Sequence, residues 1–420
     1  MRKIYSVLWC LSLLLFQADS NSETYQIGGM YTQHYRDGTY AEWGEYSRIG
    51  VKLAIEYINN SSLIWPDTIE MLPENIIDYH CSSENVALMV KSLIERGVIA
   101  ITGAECSNPA VIMANSGSQS KVPVISYGAN AGELSSTSLY PWFIRVVSPS
   151  ESYEKYLIDL AAFFNIRKIA FIHTTDAWGK GASRVIDEAV KNFDIEILRK
   201  FSFSRDSSQK EIDKILKIIK ESNIKHIFIT APTPDTVKLF RSINKFDLNK
   251  KGYSFYASEL ILRDSPNDVI SGAIGYFAPI ASLQLSPKLN EYIKNYESFT
   301  GETADSNSGN FIYSVLSYDH IILIAHAIKL MKDRDIDVSG ENLMDYLRRV
   351  DFIGASGRIS YENGSNDREF APIKIMNFHG KNKDGKMVFK PIAQTDKQTG
   401  DLKIYGESII WPGKSKKAPE

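Results

Sequence analysis

Asp78-Tyr-His-Cys81 is followed, after a helix-sized segment, by Gly97-Val-Ile-Ala-Ile-Thr-Gly-Ala-Glu-Cys106-Ser-Asn-Pro109, and then by Val122-Pro-Val-Ile-Ser-Tyr-Gly-Ala-Asn130-Ala-Gly-Glu-Leu134. Two short apolar runs, 98–101 and 122–125, end in Gly, Ser or Asn. A short apolar run bounded by turn residues suits a parallel strand buried on both faces. In open α/β sheets, ligands bind outside the carboxyl ends of such strands. Ser107, Gly128 and Asn130 are therefore expected to share one rim, suited to holding a small polar molecule and poor in groups able to cut one.

Working outward, the alternation continues. Strands are predicted at 25–30, 76–79, 98–102 and 122–126, with helices at 45–59, 84–96 and 109–120 between them. A βαβαβαβ series demands a parallel sheet covered by helices. The rhythm then restarts: helices at 151–164, 181–192, 209–221 and 235–246 alternate with strands at 168–173, 195–203, 226–230 and 253–257. Two similar α/β lobes follow. The last third predicts helices at 287–299, 311–331 and 340–350, and strands at 357–361, 371–378 and 386–393. No low-complexity linker separates the halves, so several crossings are expected, near 142–145, 277–279 and 355–356. Multiple crossings make a hinge rather than a tether. The expected division is 21–143 plus 279–355 for lobe 1, 144–278 plus 356–411 for lobe 2, and 412–420 as a tail.

At 420 residues the chain exceeds one ordinary core. Its net charge of −2 supplies no basic field for nucleic acid. The start, with Arg2, Lys3 and an apolar run over 4–16 followed by Ala18-Asp19-Ser20, has the pattern of a signal peptide spanning 1–20. No other segment reads as long and apolar enough for a membrane span. The mature protein is expected to be exported, periplasmic or extracytoplasmic. Two cysteines remain, Cys81 and Cys106, both at strand ends, and an even pair in an exported chain points to a disulfide between adjacent strands. No helical His pair, CxxC, GKS/T loop or GxSxG elbow is present. These absences argue against a metal, a cofactor or an enzyme.

With these motifs the chain resembles the type I periplasmic binding proteins, and within them the branched-chain amino-acid binding proteins of ABC importers. The same fold forms the ligand-binding ectodomains of metabotropic glutamate-type and natriuretic-peptide-type receptors. The segments carrying the resemblance are GVKLAIEYIN from Gly50, Asp78 to Cys81, Gly103 to Ser107, VPVISYGANAGEL from Val122, Phe143-Ile-Arg145, IAFIHTTDAWG from Ile169, and the Ile410-Trp-Pro-Gly ending. The resemblance implies two Rossmann-like lobes with parallel sheets, joined by a multi-strand hinge and closing on a ligand.

In amino-acid-binding members, a Ser after the second cysteine holds the ligand carboxylate, and the segment after the next strand adds backbone groups and a hydroxyl. The matching positions are Ser107, Gly128 and Asn130. The second lobe's aromatic and acid match Trp178 and Glu259, and Trp43 matches an aromatic at the first-lobe rim. Asn130 replaces the usual hydroxyl, Trp43 and Trp178 are bulkier than Tyr, and Pro232 stands where relatives place an aromatic. These departures admit a small amide, a urea-like compound, an aromatic acid or an unusual amino acid. The resemblance implies delivery of the ligand to the membrane permease of an ABC importer. The alternative is a sensing subunit that passes its closed state to a receptor or kinase.

Overall fold

The computed structural model describes residues 22–258, 260, 265–369, 371–396, 401–405 and 408–419. The predicted leader and Glu259 lie outside the described residues. The first βα series forms one parallel sheet from β1 (Thr24–Tyr31), β2 (Thr68–Glu70), β3 (Ile76–Asp78), β4 (Ala100–Gly103), β5 (Val124–Ser126) and β6 (Phe143–Arg145), in the order β2-β1-β4-β5-β6 with β3 also on β1. Helices α1 (Glu42–Asn60), α2 (Val86–Glu95) and α3 (Ser107–Ser120) connect the strands. Residues 143–145, expected as a crossing, form a strand of the sheet: β6 pairs in parallel with β5 from Val124↔Phe143 to Ser126↔Arg145.

The second series comprises α4 (Ser150–Phe163), β7 (Lys168–Thr174), α5 (Ala177–Ala189), β8 (Glu196–Phe203), α6 (Gln209–Glu221), β9 (His226–Thr230), α7 (Thr233–Lys245), β10 (Ser254–Ala257), α8 (Asn267–Ala273) and β11 (Phe277–Ala281). The remaining elements are α9 (Pro287–Thr300), α10 (Gly309–Lys332), α11 (Gly340–Leu347), the hairpin β12 (Asp351–Gly354) and β13 (Gly357–Ser360), then β14 (Ile373–Lys381), β15 (Met387–Thr395) and β16 (Leu402–Ile404). The second sheet runs β16-β15-β14-β11-β10-β9-β7-β8. It is parallel from β8 to β11 and antiparallel beyond. The chain passes between sheets after β6, after β11 and between β13 and β14. The protein is thus α/β with two lobes of the type I binding-protein architecture.

Helix α10 corrects one expectation. By length and composition it could cross a membrane, but most of it is buried inside the protein. Its polar residues are held within the first lobe. The Ser317 hydroxyl donates to the Ser47 carbonyl at 2.7 Å, and the Tyr292 and Ser314 hydroxyls lie 2.6 Å apart. Ile321, Leu323, Ile324 and Ile328 are fully buried, each contributing roughly 1.5–3 kcal/mol through removal from water. The hydrophobic length of α10 thus serves a core.

Cys81 and Cys106 form the disulfide, with Cα atoms 5.6 Å apart. Its setting differs from the expected adjacent strands: β3 and β4 both pair with β1, on opposite sides of it. The bridge therefore spans β1 and ties the end of β3 to the residue capping α3. It closes a separation of 25 residues. Removing it in Cys106→Ser is expected to cost about 3 kcal/mol. The check is the thermal midpoint with and without reductant: the wild type should fall to the mutant's value, and an unchanged midpoint would mean the bridge constrains nothing.

Candidate functional site

The rim is built from strand ends. Beyond β4 the backbone turns through positive φ at Gly103 and Ala104 into Glu105 and the disulfide, and Ser107 is the first residue of α3. The Ser107 hydroxyl accepts from the Ala131 backbone N–H at 3.1 Å, so this side chain ties α3 to the segment after β5. Ser126, at the end of β5, donates to the Ala104 carbonyl at 2.9 Å and accepts from the N–H groups of Gly128 and Ala129 at 3.2 and 2.8 Å. A Cβ at Gly128 would stand 2.9 Å from the Glu105 Cβ, so only glycine lets the two strand ends approach this closely. Ser107, Gly128 and Asn130 thus lie together at one rim.

Beneath that segment lies Arg145, fully buried at the end of β6. Its guanidinium donates to the carbonyls of Ala129 and Ala131 at 3.0 and 2.9 Å, to the Ser135 hydroxyl at 2.6 Å, and to Asp367 at 2.7 Å. The first two carbonyls flank Asn130, and Asp367 belongs to the β13–β14 crossing. One cation thereby joins the rim loop to two hinge crossings. Residues 355–356, expected from sequence as a crossing, are instead the turn of the β12–β13 hairpin, and Asp319 of α10 holds that turn by accepting from the N–H groups of Ala355 and Ser356 at 2.8 and 2.7 Å.

The second lobe meets this rim directly. The Ser150 N–H at the start of α4 donates to the Asn130 carbonyl at 2.6 Å, which places the first turn of α4 against the Asn130 segment. Helix α5 begins at Ala177, not at the expected 181, because the Asp176 carboxylate caps it by accepting from the Gly179 N–H at 2.9 Å. The early start puts Trp178 in the first helical turn, where it is 7% exposed and belongs to the same buried cluster as Ala129, Ala131 and Leu134 of the first lobe. The indole therefore crosses between lobes rather than standing on a rim.

Trp43, the second residue of α1, is half-buried and donates its indole N–H to the Tyr35 hydroxyl at 2.9 Å. Its ring lies 6.2 Å from Tyr313, which lies 6.1 Å from Tyr127. This makes an aromatic wall along the first lobe. Pro232 is the residue before α7.

Four residues of this region are not singled out by sequence reading. Glu154 of α4 is 1% exposed, and its Oε1 lies 2.9 Å from the Thr230 hydroxyl and 2.8 Å from that of Ser258, at the ends of β9 and β10. Its one signal is an acid three and four residues before the buried Leu157 and Ile158, on the apolar stripe of α4. Ser150 looks from sequence like a helix-start residue, yet its buried hydroxyl finds no hydrogen-bond partner among the described residues. Arg145 stands in a family motif that says nothing of its bonds. Glu105 sits in a turn between a strand and a cysteine, where an acid is expected to be solvated. It is 7% exposed, and burial pushes its carboxyl up to about 8.

Near this rim, Ser150 Oγ, Trp178 Nε1, Glu105 Oε2 and Tyr127 Oη are buried without a hydrogen-bond partner among the described residues. Such groups are costly unless something bonds them. A cavity of about 240 Å³ lies at the hinge, lined by Ser148, Pro149, Ser152, Gln284, Asp367 and Arg368, on either side of Ser150 in sequence. Among the described residues no group of three or more His, Cys, Asp or Glu is placed to hold a metal.

Comparison with known proteins agrees with this geometry. The receptor family ligand binding region matches residues 47–381. The chain is 21% identical to glutamate receptor 3.1 of Oryza sativa subsp. japonica, with 90% of the chain and 44% of the receptor covered. It is 23% identical to metabotropic glutamate receptor 4 of Mus musculus, with 94% and 51% covered. It is 22% identical to glutamate [NMDA] receptor subunit 1 of Drosophila ananassae, with 96% and 38% covered. The chain thus spans about half or less of the length of these relatives. They are receptors, so the narrower resemblance to binding proteins of branched-chain amino-acid importers is not carried by them. By its architecture and by the length of that match, the chain belongs to the receptor family ligand binding region.

Proposed function

We propose that the chain captures a small polar molecule, an amino acid or a related amide or urea-like compound, between its two lobes, outside the cytoplasm. The observation that carries this reading is the meeting of Ser107 and Asn130 from one lobe with Ser150 and Trp178 from the other, where Ser150 Oγ and Trp178 Nε1 are buried without partners among the described residues. The first turn of α4 turns the positive end of its helix dipole to this meeting point, which favours an anion such as a carboxylate. A ligand touching both lobes binds the closed form better than the open one and so shifts the population toward closure. Glutamate in the relatives' names supports the amino-acid class.

The closed form serves a partner. The resemblance to importer binding proteins points to a permease; the receptor relatives favour the alternative, a sensing unit whose closed state is passed to a receptor or kinase. The cleft works by binding without turnover, and recovery of unaltered ligand after prolonged incubation checks this.

A thermal-shift series with amino acids, short amides and ureas tests the reading. A ligand at a hundredfold excess over its Kd should raise stability by about 2.7 kcal/mol. Ser107→Ala should lose most of that increment. It should also lower the ligand-free stability by about 1 kcal/mol, because the Ala131 N–H loses its acceptor. No shift with any compound would reject the proposal.

A further inference from the structure

Glu105 is a buried carboxyl at the strand-end rim of the first lobe. It lies two residues before Ser107, at the carboxyl end of β4. Its Cβ abuts Gly128 at the end of β5, and its Oε1 accepts from the Thr32 N–H just beyond β1. The side chain therefore runs beneath the ends of three neighbouring strands, the rim where α/β sheets hold ligands. The hydroxyls of Thr32 and Tyr79 stand beside it, and the rings of Tyr31 and Tyr127 close the surroundings. Its Oε2 is buried without a partner, and no Lys or Arg forms an ion pair with it among the described residues.

An acceptor for the Thr32 N–H needs no charge, and glutamine would serve as well. Burial holds that carboxyl neutral up to about pH 8, with one oxygen unbonded among the described residues. A ligand cation arriving at that oxygen would displace the proton to solvent and pair with the carboxylate in the bound state only, which makes the site selective.

We propose that Glu105 is a specificity-determining residue of the cleft, whose free Oε2 receives an ammonium or guanidinium at the far end of the captured molecule. The ligand is then a basic amino acid, with its carboxylate at the Ser107–Ser150 side and its second cation at Glu105. This rests on the proposed capture of an amino acid in the cleft and adds the charge of its side chain.

Three amino acids of equal chain length separate the outcomes: L-ornithine, L-norvaline and L-glutamate, titrated calorimetrically into the purified chain. L-arginine serves as the guanidinium probe. Ornithine or arginine should bind at least tenfold tighter than norvaline, with glutamate the weakest. In Glu105→Gln, which keeps an acceptor for Thr32, that preference should fall by tenfold or more while norvaline affinity stays within about twofold. Near-UV circular dichroism verifies that the variant folds, and the wild-type ranking tests the idea even where it does not. Norvaline or glutamate binding tightest, or a preference that survives Glu105→Gln, overturns this inference and leaves amino-acid capture standing. Binding of none of the four overturns this inference, and the thermal-shift series with the wider panel decides the capture itself.

Discussion

Arg145→Met is expected to destabilise the protein by about 3–5 kcal/mol, the usual consequence of removing one partner of a buried ion pair. Methionine fills much of the volume, so the loss isolates the charge and its hydrogen bonds. Those bonds are numerous. Without the guanidinium, the carbonyls of Ala129 and Ala131, the Ser135 hydroxyl and the Asp367 carboxylate all lose a donor. The neighbouring connections should not replace it. The Arg145 N–H donates to the Asn366 carbonyl at 3.0 Å, and Tyr361 donates to the Arg145 carbonyl at 3.2 Å, but these are bonds of the backbone and survive the substitution. A second effect should accompany the first. With the carbonyls around Asn130 released, ligand affinity should fall at least tenfold, because the loop must be ordered at the moment of binding. Arg145→Lys should recover part of the stability and less of the affinity, since one ammonium cannot reproduce the fork that spans Ala129, Ala131 and Asp367. Thermal unfolding and calorimetric titration measure the two effects separately. A destabilised Arg145→Met with wild-type affinity would show that Ser126 and Ser107 hold the loop unaided.

Acid should destabilise the protein from about pH 6.5 downward. His320, fully buried on α10, has its pKa pushed down by burial to about 3, and His226 at the start of β9 to about 4, both from an ordinary value of 6.5. Among the described residues neither ring has an acid paired with it. The Nδ1 of His320 faces the Ser317 carbonyl, and that of His226 lies 2.8 Å from the Ser254 hydroxyl. Below pH 6.5 the unfolded chain takes up protons that the folded chain refuses. The stability that depends on these rings is therefore complete above that pH and falls as pH drops toward 3–4. Each pKa unit between the two states is about 1.4 kcal/mol, so each histidine accounts for a few kcal/mol.

Glu105 has the opposite sign. Its folded pKa of about 8 exceeds the ordinary 4.5, so its contribution is present below 4.5 and is lost as pH rises toward 8. Asp319, raised by burial, acts in the same direction. The thermal midpoint should thus peak near neutral pH and decline on both sides. Glu105→Gln should flatten the alkaline decline, and His320→Gln the acid one. An acid decline as steep in His320→Gln as in the wild type would contradict the assignment of His320 as a buried neutral ring.

Several features of this protein were decided within short windows of sequence. Apolar runs ending in Gly, Ser or Asn placed β4 and β5, and amphipathic spacing placed helices such as α1 and α6, because strand and helix periodicities are local properties of the chain. The position of Ser107 and Gly128 at strand ends followed from the same local pattern, as did the pairing of the only two cysteines beyond the predicted leader. What the tertiary structure decided depends on groups far apart in sequence. Glu154 meets Thr230 and Ser258 across separations of 76 and 104 residues, and Arg145 meets Asp367 across 222. Whether a polar side chain is buried, and what bonds it there, is set by which elements pack over it, and no window of the chain contains that. The same holds for Trp178: its place in the first turn of α5 is a local matter of the Asp176 cap, but its burial against the opposite lobe arises only when the two sheets face one another.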